Sequence, residues 1–136
     1  MKLFLHIFVL LTFLASATLA NDFKNITEVA LKKDEFKNIF VKYASNKRLF
    51  KFRWTLYANG GLVIHRSYDT IVSQNILYLR RQNQSFRLEL KSRGSDSYNV
   101  PYLLVKFKEF DLQKKEAKFE LFLSDDKDQI VLEYLK

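Results

Sequence analysis

The spacing of apolar residues changes twice along the chain, and each change marks a different kind of segment. Residues 1–20 hold one early charge, Lys2, then an apolar run from Leu3 to Leu14, then small residues ending at Ala20. Thr18 and Ala20 stand where a small-residue cleavage site needs them, so a cleavable secretory signal peptide is expected over 1–20. The run is shorter than the ~20 residues of a spanning helix. No transmembrane span is therefore expected after cleavage.

From Ile26 to Ala44 the apolar residues recur with a helical period. Ile26, Val29, Ala30, Phe36, Phe40, Tyr43 and Ala44 fall on one face, with Asn25 as N-cap and Glu28 completing a capping box. This predicts an amphipathic helix over about 26–45. Lys32-Lys33-Asp34-Glu35 interrupts the stripe, so two shorter helices capped at Asp34 are an alternative.

After residue 47 the period drops to two. Phe50, Phe52, Trp54 and Leu56 alternate with Lys51, Arg53 and Thr55. Asn59-Gly60 predicts a tight hairpin turn, because both residues accept positive φ. Further strands are expected at 62–68, 71–81, 86–90, 102–110, 117–123 and 129–135. The segment 71–81 also admits a helix capped by Asp69. Ile76-Leu77-Tyr78-Leu79 favours the strand. The longest polar loop spans 91–100.

These elements predict an α+β, mainly β fold: one N-terminal helix, then an antiparallel up-and-down meander of about seven strands over about 48–135. Such a meander can cover the helix or curl into an open barrel of calycin-like architecture. One Pro, three Gly and no repeat or linker point to a single compact domain over 21–136. Several strands also carry apolar residues opposite their inward sets, namely Tyr57, Tyr78, Tyr102, Leu104 and Phe122. A single sheet with one helix cannot cover both faces, so a cavity or a partner is expected.

Composition sharpens this picture. There is no cysteine, which removes disulfides, a thiol nucleophile and lipid attachment at the cleavage site. His65 is the single histidine beyond residue 20, so a transition-metal site within one chain is not expected. Asp125, Asp126 and Asp128 lack the spacing and glycine of a calcium loop. No phosphate-cradling glycine loop or nucleophile elbow is present. No cofactor is expected. His65 with Asp69 or Glu89 is the one conceivable hydrolytic pair, and it makes a weak case. The abundance of Lys, Asn, Ile and Phe is that of an AT-rich genome. With the leader, it suggests a bacterial periplasmic protein, or a secreted one as the second choice.

The net charge of +8 is uneven. Residues 47–93 carry ten basic and two acidic side chains, and arginine dominates. Arg53, Arg66, Arg80, Arg81 and Arg87 fall on four consecutive expected strands, and some of them could form one basic stripe. Guanidinium forks suit carboxylate and phosphate. With Trp54 and Tyr78 as aromatic neighbours, these seven residues are the candidate ligand-binding set. The expected function is an exported, non-enzymatic binding protein of the cell envelope. It would hold an amphipathic or anionic ligand, such as a lipid, on a curved aromatic and arginine-rich sheet. The alternatives are an interaction or scaffold subunit of an envelope complex and, last, a hydrolase using His65. Nucleic acid is a poor fit to an exported chain.

Overall fold

The computed structural model describes residues 23–92 and 99–136. The expected signal peptide at 1–20 and the centre of the polar loop at 91–100 lie outside the described residues. Among the described residues there are nine strands: β1 (Phe23–Lys32), β2 (Lys37–Tyr43), β3 (Asn46–Ala58), β4 (Gly61–Tyr68), β5 (Ile71–Tyr78), β6 (Ser85–Glu89), β7 (Tyr102–Asp111), β8 (Glu116–Ser124) and β9 (Val131–Tyr134). They form a four-stranded sheet in the order β1-β8-β7-β6 and a five-stranded sheet in the order β5-β4-β3-β2-β9. Every pairing is antiparallel.

The seven strands expected after residue 47 are β3 to β9. The Asn59-Gly60 turn joins β3 to β4 with φ of 53° and 76°, as a primed hairpin requires. The segment at 71–81 is a strand, β5.

The helix expected over 26–45 is not there; the segment forms β1 and β2. The residues that bury are Val29 and Leu31, then Ile39 and Val41, which is an alternating pattern. The helical stripe captured Val29 but also Ile26 and Phe36, which are exposed. Lys32-Lys33-Asp34-Glu35 is where the chain crosses between sheets. Asp34 takes a left-handed φ of 64° and its N–H donates to Trp54 O at 2.9 Å, while Glu35 Oε2 accepts from Lys32 N–H.

The calycin-like barrel is likewise not formed. β1 leaves the run of neighbours to pair with β8, and β9 returns to pair with β2. The chain therefore builds two meanders that face each other, and the sheets do not close. The core lies between them. Phe52 from the five-stranded sheet meets Phe119 from the other edge-on at 5.4 Å, and Phe50 meets Phe86 at 6.5 Å. Two buried side chains also tie the sheets by hydrogen bonds. Trp54 Nε1 donates to Leu31 O at 2.7 Å, and Tyr68 Oη donates to Leu90 O at 2.5 Å.

Two bulges rewrite the expected inward sets. The β3–β4 register shifts between Trp54 and Leu56. An extra residue reverses the parity of everything after it. Leu56 thus turns outward, and Tyr57 turns in to stack on Phe110 at 4.0 Å. A second shift, between Phe107 and Glu109, turns Phe110 inward to meet it.

Candidate functional site

The outer face of the five-stranded sheet carries an open groove. Antiparallel register sets its rows: Val72, Ser67, Lys51 and Asn38 in one; Gln74, His65 and Arg53 in the next. Phe36, just before β2, folds over this surface. Its ring lies 5.6 Å from Lys51 Nζ and 4.8 Å from the Arg53 guanidinium carbon. Together with Leu49, Thr70 and Val72 these residues line an open groove of about 510 Å³. Lys51 has no carboxylate within 4 Å among the described residues, and Arg53 has only Asp34, at 3.7 Å and half-exposed. The groove is thus basic and apolar at once, and its charge is poorly compensated.

The outer face of the four-stranded sheet contrasts with it. Lys108 binds Glu28 at 2.7 Å and Glu120 at 3.3 Å, and Lys118 reaches Glu109 at 3.5 Å. The Lys108 ammonium holds the exposed Glu28 carboxyl below its usual range. Its apolar end, Phe23, Tyr102 and Phe122, packs on itself at ring distances of 6.4 and 5.3 Å. Lys108 and Lys118 are thus paired within the face, and Arg87 lies over the Tyr102 ring, so it makes the weaker anion site.

The seven candidate residues do not form one stripe. Arg53 lies in the groove. Arg66 also lines it, but its guanidinium points between the sheets and sits 4.4 Å from the centre of the Phe86 ring. Arg80 and Arg81 are in the turn between β5 and β6, where Arg81 lies 5.3 Å over the Tyr78 ring. Tyr78 is at the sheet edge and packs over Gly61, where an added Cβ would meet its ring at 2.9 Å. Arg87 is on the opposite outer face, 3.8 Å over Tyr102. Trp54 is buried in the core, edge-on to Phe110.

Sequence reasoning missed Phe36, which the helical reading had placed in a core. It also missed Lys51, although the alternation of Lys51 with Phe50 and Phe52 put it on the outer face beside Arg53. His65 belongs to the groove, flanked in register by Arg53 and Gln74. Neither candidate acid stands in register with it. Asp69 pairs with Arg48 at 2.8 Å, and Glu89 is on the other sheet. Among the described residues no three His, Cys, Asp or Glu side chains gather as metal ligands.

Arg66 is the costliest member of the set. Its Nε is buried with no hydrogen-bond partner, as is Asn75 Oδ1, and burial lowers the guanidinium pKa from its ordinary value. A half-buried cation lacking a paired anion, with one N–H donor unsatisfied, works against folding, although the solvent reaching it reduces the cost. Arg66→Met replaces the guanidinium over Phe86 by an apolar side chain and removes the charge. It is expected to raise stability by about 1 kcal/mol, read as a higher urea midpoint. A lower midpoint would mean that the guanidinium contributes more over Phe86 than it loses to burial.

No family model, no curated protein and no solved structure matches the chain.

Proposed function

We propose that the protein is an exported, non-enzymatic binding module of the cell envelope, and that its ligand is an anionic amphipath of the phospholipid type. The observation that supports this reading is the groove on the five-stranded sheet. There, Lys51 and Arg53 stand beside Phe36, Leu49 and Val72 without adequate internal counter-charge. A phosphate or carboxylate head would meet the two cations, and acyl carbon would cover the exposed apolar side chains. The address comes from the leader-like residues 1–20.

The test is cosedimentation with vesicles of phosphatidylglycerol and, separately, of phosphatidylcholine. Binding to the first and not the second is expected. A basic side chain near an anionic bilayer contributes about 1 kcal/mol. The double variant Lys51→Gln, Arg53→Gln should therefore bind the anionic vesicles about 30-fold more weakly. Equal sedimentation of the variant and the parent protein would remove the groove from the binding reaction. The rival reading, an interaction subunit, draws its support from a different feature, the uncovered edge of β5.

A further inference from the structure

The five-stranded sheet ends in β5, and this edge is unguarded. Natural edge strands are blunted by charge, proline, bulges or shortness, because their free N–H and C=O groups invite another strand. The other three edges follow that rule. β1 is bulged near Phe23 and carries Glu28 and Lys32, β6 has five residues including Arg87 and Glu89, and β9 has four including Glu133. β5 has eight residues, no charge, no proline and no break in its register with β4. Ile71 and Val72 are 72% and 74% exposed, and Ile76 is 44% exposed.

The backbone shows which groups face outward. Tyr78 N–H donates to Asn83 O at 3.2 Å, and Asn83 Nδ2 donates to Ile76 O at 3.3 Å; both contacts lie on the side away from β4. In an antiparallel strand the N–H and C=O of one residue point the same way, and the direction alternates. Val72 and Gln74 therefore aim both groups outward, and they meet no partner among the described residues.

We propose that β5 is the interface for a second copy of this chain, paired antiparallel about a two-fold axis through Gln74. That register sets Gln74 against the partner's Gln74 and Val72 against the partner's Ile76, forming the hydrogen-bonded pairs. Ile76 O already accepts from Asn83 and has a second lone pair for the partner's Val72 N–H. On the inner face, Ser73 lies opposite the partner's Asn75 as a non-hydrogen-bonded pair, where side chains approach most closely. The Ser73 hydroxyl can then donate to the partner's Asn75 Oδ1, the acceptor that one copy alone leaves buried and unsatisfied. Self-pairing brings no charges together in β5. It would join two five-stranded sheets into one of ten strands, with both basic grooves on a single continuous face. The contact is one short strand pair, so a dimer of micromolar affinity is expected rather than an obligate one.

Sedimentation equilibrium of the mature chain at about 1–100 μM tests the proposal, with Gln74→Lys and Gln74→Glu as variants. Gln74 is exposed, so folding should be kept, and the circular dichroism melt checks this. Each variant alone places like charges face to face at the axis and should weaken dimerisation at least tenfold. An equimolar mixture of the two should recover it. A parent protein that remains monomeric throughout would overturn the proposal. So would variants that dimerise like the parent, since the axis would then lie elsewhere. Vesicle binding is read separately, so either reading can fail alone.

Discussion

Replacing Phe52 by alanine is expected to cost about 3–5 kcal/mol of folding stability. The ring is fully buried, stacks on Phe50 at 5.5 Å and meets Phe119 of the facing sheet edge-on at 5.4 Å. It therefore joins neighbouring residues of one strand to the opposite layer. Removing it deletes a large buried apolar surface and leaves a cavity bounded by two sheets. Their strands are held in register by backbone ladders and cannot easily collapse into it. A domain of this size has about 5–15 kcal/mol in total, so the variant should sit close to its unfolding midpoint at moderate urea. Urea denaturation followed by Trp54 fluorescence measures this. A loss below about 1 kcal/mol would mean that the sheets do not meet through this ring.

Alkaline pH should destabilise the protein by a comparable amount. Tyr68 is 9% exposed and its hydroxyl donates to Leu90 O. Burial, above all, pushes its pKa up from 10.0 to about 12. The unfolded phenol gives up its proton near pH 10, whereas the folded one keeps it. The stability this contributes is whole below pH 10 and is lost as the pH rises through 12. A two-unit difference corresponds to about 3 kcal/mol. Tyr134 is raised in the same direction by burial and adds to the effect. The urea midpoint should thus fall steeply between pH 10 and 12. Tyr68→Phe should begin about 1 kcal/mol lower at neutral pH, through the lost hydrogen bond, and then fall less steeply. An unchanged slope in that variant would assign the alkaline transition to other groups.

The strands after residue 47 were legible because alternation and turn chemistry agree there. Phe50, Phe52 and Trp54 alternate with polar residues, and Asn59-Gly60 reverses the chain. Residues 26–45 were misread because Val29, Ala30, Phe36 and Phe40 satisfy a helical period by coincidence. The alternation that wins, Val29 with Leu31 and Ile39 with Val41, is stabilised by partners far away in sequence. β2 forms a local hairpin with β3, but β1 pairs with β8 and β2 also with β9. Such non-local pairing leaves little local trace.

The candidate site was half legible. Arg53 and its alternation with the core residues could be read directly. Phe36 could not, because its place depends on where the crossover between sheets folds. The apolar residues seen on both sides of the strands were a sound clue, with two different explanations. Tyr57 turns inward at a bulge, in exchange for Leu56, whereas Tyr78 stays on the outer side at the sheet edge.

By itself, the sequence determined the strand-rich body from β3 to β9, the position of the Asn59-Gly60 turn, the absence of cysteine chemistry and the concentration of positive charge in the middle of the chain. All of these are local properties: period, turn propensity and composition. Only the tertiary structure decided that β1 and β9 exchange sheets, that bulges flip Leu56 and Tyr57, and that the arginines separate. Arg53 faces the groove, Arg66 the interior, Arg87 the far face, and Arg80 and Arg81 the β5–β6 turn. Which face a strand residue occupies depends on register and on which strand lies beside it. Those are set by contacts across the core, and no window of neighbouring residues contains them.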